Sequence, residues 1–237
     1  MRRAGFTLVE TLIAMALSLL IMAAGLEFFV LAQKTFLRLK DKEEAGQSAL
    51  AASDKIRIDL LHAGLGLAVE TALGIVEPMS AEEDELRTVS VEKPLVLAAE
   101  ARAGDLRLAL AATSGIAAGQ DIALRDGAAG EVRRVAAVER TAVVLREPLG
   151  RPYSPATAAV ALLETVVYFL DEPAGILRRR VNASPAQPLL ENARAASWSR
   201  DPSGRVVRVR LELSVQGGST HETTVFLKNP ALAGLFQ

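Results

Sequence analysis

Two groups of residues in this sequence could do chemistry. The first is a single carboxylate, Glu10, in an otherwise apolar run. Phe6 to Val9 precede it, and Thr11 to Leu26 follow as 16 residues without a charge. A carboxylate in a low-dielectric setting is costly, so a segment that keeps one has a use for it, and pairing with a cation is the use that removes the cost. The second group is basic. Between Arg178 and Arg210 lie eight arginines (178, 179, 180, 194, 200, 205, 208 and 210) against two acids, Glu191 and Asp201. Clustered guanidiniums attract phosphate backbones. Alternating ones equally mark the solvent face of a strand, paired across the sheet. Alternation accounts for Arg208 and Arg210 but least well for Arg178-Arg179-Arg180. These five arginines are the candidate basic patch, with the solvated strand face as the favoured reading.

Other chemistry finds little support. The chain has 237 residues, a formal net charge of −1 and no cysteine, which excludes disulfides and thiolate metal sites. Its two histidines, His62 and His221, stand in no metal-binding spacing. Ser197 and Ser199 lack a Gly-x-Ser-x-Gly context, and the glycines at 115–119 and 127–130 lead into no Lys-Ser/Thr. Glu82-Glu83-Asp84-Glu85 offers hard oxygen ligands without calcium-loop spacing, so it reads as a solvated run. An aromatic content of 4% argues against a stacking platform for single strands. The expectation is a non-enzyme without cofactor or metal.

The elements that must position Glu10 come next. Apolar character runs from Phe6 to Ala32, broken only by Glu10 and Glu27. Roughly 20 helical residues cross a bilayer core of about 30 Å, so the segment is long enough to span. Arg2 and Arg3 precede it and place the N-terminus on the cytoplasmic side. Three readings compete. A secretory signal would use Ala23-Ala24-Gly25 for cleavage, but Glu10 falls in its apolar region. A plain anchor leaves Glu10 without a purpose.

The third reading is a resemblance. The stretch Gly5-Phe6-Thr7-Leu8-Val9-Glu10 resembles the type IV prepilin signature, in which a short basic leader ends in glycine, followed by Phe, three residues and Glu. It covers residues 1 to about 35 and is diffuse beyond. The resemblance implies cleavage between Gly5 and Phe6 by a prepilin peptidase and N-methylation of Phe6. It also implies a salt bridge from Glu10 to the N-terminal amine of a neighbouring subunit during assembly. One departure is that the first proline is Pro78, where many pilins carry one within the apolar half. The helix start and its Phe-rich exit look most like PilW-type minor pilins, with GspJ-type pseudopilins of type II secretion next.

Further along, Gln33 to about Leu61 contains no proline. Ala45, Ala49, Ala52, Ile56 and Leu60 form one helical stripe, and Gly64-Leu65-Gly66 ends the helix. Residues 67–85 read as a connection. From Leu86 the signal is β, with strands expected at 88–91, 105–111, 121–125, 131–138, 142–146, 159–170, 175–181, 205–215 and 222–227. Asp126-Gly127, Glu172-Pro173 and Gly217-Gly218 supply turns.

The fold expected is α+β: a long N-terminal helix, half membrane-spanning and half amphipathic, packed on an antiparallel β-sheet head. The boundaries expected are 1–5 leader, 6–32 transmembrane or filament-core helix, 33–63 amphipathic helix and 64–237 head, with a small β subdomain at about 104–148. The function expected is a structural subunit of a type IV pilus or related filament. Its partners would be prepilin peptidase, other major and minor pilins or pseudopilins, and an inner-membrane assembly platform. Its place would be the inner membrane as a single span with the head outside the cytoplasm, then the filament. The alternative from another class is a membrane-tethered module whose basic head captures DNA or a surface ligand, since some pilus proteins take part in DNA uptake.

Overall fold

A computed structural model describes residues 8–82, 84–202, 205–214 and 219–229. Gly5, Phe6, Glu83 and the Gly217-Gly218 turn lie outside them. The described residues form a long helix, α1 (Leu8–His62), then a short one, α2 (Ala68–Ala72), and twelve strands. It divides into two compact units, residues 1–46 and 47–237.

In the first unit α1 exposes its apolar side chains from Leu8 to Leu39. No proline interrupts it, and its small hydroxyls fold back: Ser18 Oγ donates to the Ala14 carbonyl at 2.8 Å and Thr35 Oγ1 to that of Leu31 at 2.9 Å. A helix apolar on every side must bury itself in lipid or against other chains. Residues 8–32 rise about 37 Å, enough for a bilayer core, and the helix is long and apolar enough to cross a membrane.

In the second unit one face of α1 is buried, through Ala49, Ala52, Ser53, Ile56, Asp59 and Leu60. Gly64 ends the helix at φ 74° and donates its N–H to the Val89 carbonyl at 2.8 Å. Gly66 is fixed more tightly, at φ +76° with room for no Cβ, which would sit 2.9 Å from Val91 Cγ2. Asn229 caps the same end: its Nδ2 donates to the carbonyls of Leu61 at 3.0 Å and Ala63 at 3.1 Å.

The strands are β1 (Met79–Ala81), β2 (Glu85–Leu95), β3 (Arg107–Ala109), β4 (Asp121–Asp126), β5 (Ala129–Val138), β6 (Ala142–Leu145), β7 (Ala159–Asp171), β8 (Ile176–Val181), β9 (Gln187–Leu190), β10 (Ala193–Arg200), β11 (Val206–Leu213) and β12 (Ser219–Phe226). Nine form one antiparallel sheet in the order β1-β2-β7-β4-β5-β6-β3, with β8 beside β7 and β9 beside β8; β10-β11-β12 form a second. The spine is β7. Along one edge it pairs with β2, and along the other it pairs first with β4 and then with β8. A strand paired on both edges and covered on both faces needs a near-continuous apolar run, which Ala159–Leu170 supplies.

Leu86 and Tyr168 face each other across β2 and β7 on the face that α1 covers, both fully buried. On the opposite face Val89, Ala123 and Leu163 pack with Leu67 and Val76, from the segment that follows α1. Strands β3 to β6 continue the main sheet outward and carry a core of their own, with Leu108, Ile122, Val135, Val143, Leu145 and Tyr153.

The connection expected over 67–85 contains α2 and β1, and the strand expected at 105–111 shortens to 107–109. Strands β9 and β10 went unanticipated. β9 carries Pro188, and β10 reads Ala-Arg-Ala-Ala-Ser-Trp-Ser-Arg, with little intrinsic strand preference.

Candidate functional site

Glu10 lies in the first turn of α1 with its surface exposed. A carboxylate there is compatible with the helix dipole. Its neighbours Val9, Leu12 and Ile13 are exposed apolar residues, so any packing around this carboxylate within the unit is slight. The expected cleavage and methylation positions, Gly5 and Phe6, lie outside the described residues.

A second carboxylate on the same helix has the opposite surroundings. Asp59 is 6% exposed and faces the main sheet. Its Oδ2 accepts from Tyr168 Oη and, at 2.7 Å, from Arg179 Nε, while Oδ1 accepts from Lys55 Nζ at 3.2 Å. Burial pushes the Asp59 pKa up, but the hydrogen bonds from Arg179 and Tyr168 and the Arg179 charge outweigh it and hold the carboxyl below its ordinary value. Burial, and then the hydrogen bond and charge of Asp59, push the Tyr168 phenol well above its usual range. For Arg179 burial acts downward, and the hydrogen bond and charge of Asp59 overcome it and raise the pKa. The arrangement is a compensated ion pair that ties helix to sheet. It includes no spare base or nucleophile.

The signal for Asp59 was present in the sequence: an acid three residues after Ile56 and one before Leu60 stands within the apolar stripe. Lys55 supplies one partner from the same helix, but the two that come from the sheet, Tyr168 and Arg179, lie more than 100 positions away.

The structure divides the five candidate arginines. Arg179 faces α1, while Arg178 and Arg180 alternate onto the other face of β8. Arg178 Nε pairs with Asp171 Oδ2 at 2.7 Å, and the Arg180 guanidinium lies 5.8 Å from the centre of the Phe169 ring. Arg208 and Arg210 belong to the second sheet, where both bind the Glu222 carboxylate at 3.0 Å. Arg180 also lines a cleft on the main sheet. Among the described residues no cluster of three or more His, Asp or Glu could hold a metal ion.

Three comparisons with known proteins bear on the chain. The prokaryotic N-terminal methylation motif matches residues 1–26, the stretch that contains Gly5, Phe6 and Glu10. No curated protein matches the chain. Among solved structures, the tailspike protein gp49 from Pseudomonas phage LKA1 is 26% identical with a TM-score of 0.27, over 31% of this chain and 15% of the tailspike. The Gp54 tailspike of Acinetobacter baumannii bacteriophage AP22, in complex with A. baumannii capsular saccharide, is 15% identical with a TM-score of 0.29, over 32% of this chain and 15% of that one. The chain thus spans a small part of either tailspike, and likeness this loose carries neither fold nor ligand across. The methylation motif, continued by an exposed apolar helix and a β-sheet head, supports a type IV prepilin-like protein.

Proposed function

We propose that this chain is a minor pilin or pseudopilin, a structural subunit of a type IV pilus or related filament. One observation carries the reading: the methylation motif runs directly into a helix whose apolar surface finds no cover in its own unit. Prepilin peptidase cuts between Gly5 and Phe6, and Phe6 receives the methyl group. The subunit waits in the inner membrane as a single span, N-terminus in the cytoplasm and head outside. On assembly Glu10 pairs with the terminal amine of a neighbouring pilin, where a lone charge in low dielectric would be penalised. Among such subunits we favour the PilW type, a low-copy or tip component, with a GspJ-type pseudopilin of type II secretion as the alternative.

The test is the intact mass of the N-terminus after membrane extraction. A chain starting at methylated Phe6 is the expected result. A start at Met1 in cells with active prepilin peptidase would mean a plain anchor, and a start near Gly25 an ordinary signal peptide. Glu10→Ala separates assembly from a tethered receptor. Assembly predicts normal insertion with loss of incorporation into filaments, whereas a receptor tolerates the change.

A further inference from the structure

A concentration of unspent positive charge gathers Arg180 with arginines from three other parts of the chain. On the sheet face opposite Tyr168, Arg87 of β2, Val167 of β7 and Arg180 of β8 stand side by side in one cross-strand row. Arg134 of β5 and Arg146, just past β6, close the row from the other side. The Arg146 N–H donates to the Arg134 carbonyl at 2.8 Å, which fixes the two relative to each other. Together they line a cleft of about 620 Å³.

Four guanidiniums thus meet two carboxylates, Glu85 and Asp121. The Asp121 carboxylate is already taken: Arg134 forks onto it at 2.8 and 3.0 Å, and Arg87 approaches only to 3.9 Å. Among the described residues Arg146 has no carboxylate partner, and Arg180 has only the Phe169 face. The wall is held in place. Asn182, at φ 52°, accepts the Thr165 N–H on its Oδ1 at 2.8 Å, which leaves its amide NH₂ as a donor on the lining. The next residue, Ala183, closes against Gly119, where an added Cβ would come within 2.5 Å of the alanine's own.

We infer that this cleft is a binding site for a small oxyanion-bearing ligand, a phosphate ester or a carboxylated sugar, held by Arg87, Arg146 and Arg180 with the Asn182 amide. Forked guanidiniums match both kinds of oxyanion. The volume is that of a small-molecule site, and fixed walls reduce the ordering cost of binding. No lining residue is aromatic, so bases of a nucleic acid strand have nothing to stack on. The inference is independent of how the N-terminus is processed.

The test is calorimetric titration of the full chain in detergent with inorganic phosphate and, separately, with glucuronate, at low and raised salt. Saturable binding of at least one probe is expected. Arg146→Ala and Arg180→Ala should each weaken it about tenfold or more, the scale of one charge-assisted contact. Both side chains are exposed, so the melting temperature should hold. Arg146→Gln keeps the stem and serves if the alanine variant fails to fold. A response to phosphate alone identifies a phosphoryl ligand, and one to glucuronate alone an acidic sugar. Arg208→Ala with Arg210→Ala is the control, and binding there should be unchanged. Failure of both probes to saturate overturns the inference, and so does equal weakening in the control pair, which would mean diffuse charge rather than a site.

Discussion

The two ends of α1 use the same residue types for opposite ends. Leu20 and Phe29 are 69% and 63% exposed, while Ile56 and Leu60 are 1% and 0% exposed. Glu10 lies exposed near one end; Asp59 near the other is surrounded by Tyr168, Arg179 and Lys55. The second unit therefore buries this stretch of α1, and the Asp59 charge with it, against partners from its own chain. The first leaves its apolar side chains for a lipid or a partner to cover. Stability should be governed by the second, and assembly by the first.

The sharpest break in this comparison is to remove the buried acid. Asp59→Ala strands the Arg179 guanidinium and the Tyr168 hydroxyl, and should cost about 3–5 kcal/mol of head stability in a denaturant titration, the range for breaking one side of a buried pair. Glu10→Ala should leave that transition unmoved. A similar loss from both would erase the distinction between the two ends.

The apolar version follows. Leu60→Ala opens a cavity in a fully buried site and should cost about 2–5 kcal/mol. Leu20→Ala, the same change on the exposed stretch, should stay within about 0.5 kcal/mol for the head. Its effect belongs instead to membrane insertion or filament incorporation, read by fractionation.

How far the sequence foretold this division depends on the element. In β11 the alternation Val207-Arg208-Val209-Arg210-Leu211 places aliphatics inward and arginines outward, because one face of that strand is buried and the other wet. The apolar start of α1 is equally plain from its length without charge. The outline of β10 was hidden because alanine and serine state no preference, so its pairing with β11 decides the matter. The oxyanion cleft was hidden for a different reason. Arg87, Arg134, Arg146 and Arg180 come from separate elements, and only the sheet order brings them together. The conspicuous run Arg178-Arg179-Arg180 is instead dispersed, because consecutive residues in a strand point to opposite faces.

Acid should reveal the Asp59 pair directly. Its folded-state pKa lies below the ordinary aspartate value, so the pair's stabilisation is full above that ordinary value and is lost as pH falls through the folded-state pKa. Asp59→Asn removes this titration. The stability gap between wild type and variant should therefore be constant from about pH 5 upward and narrow below about pH 4. A gap independent of pH down to strong acid would mean that Asp59 contributes shape rather than charge.

The smallest effect tests whether the exit of α1 is tied from the far end of the chain. Carbonyls in the last turn of a helix have no partners inside it, and those of Leu61 and Ala63 take theirs from Asn229 Nδ2. Two neutral hydrogen bonds from one amide, partly replaceable by water, are together worth about 1 kcal/mol. Asn229→Ala should lower head stability by about that much and raise hydrogen exchange for amides in the turn around Leu60 to Leu67, while residues 8–46 exchange as before. Asn229→Asp keeps the shape but replaces the donor with an acceptor facing two carbonyls, so it should be worse than alanine. If aspartate proved as good as asparagine, the tie would be packing and not hydrogen bonding.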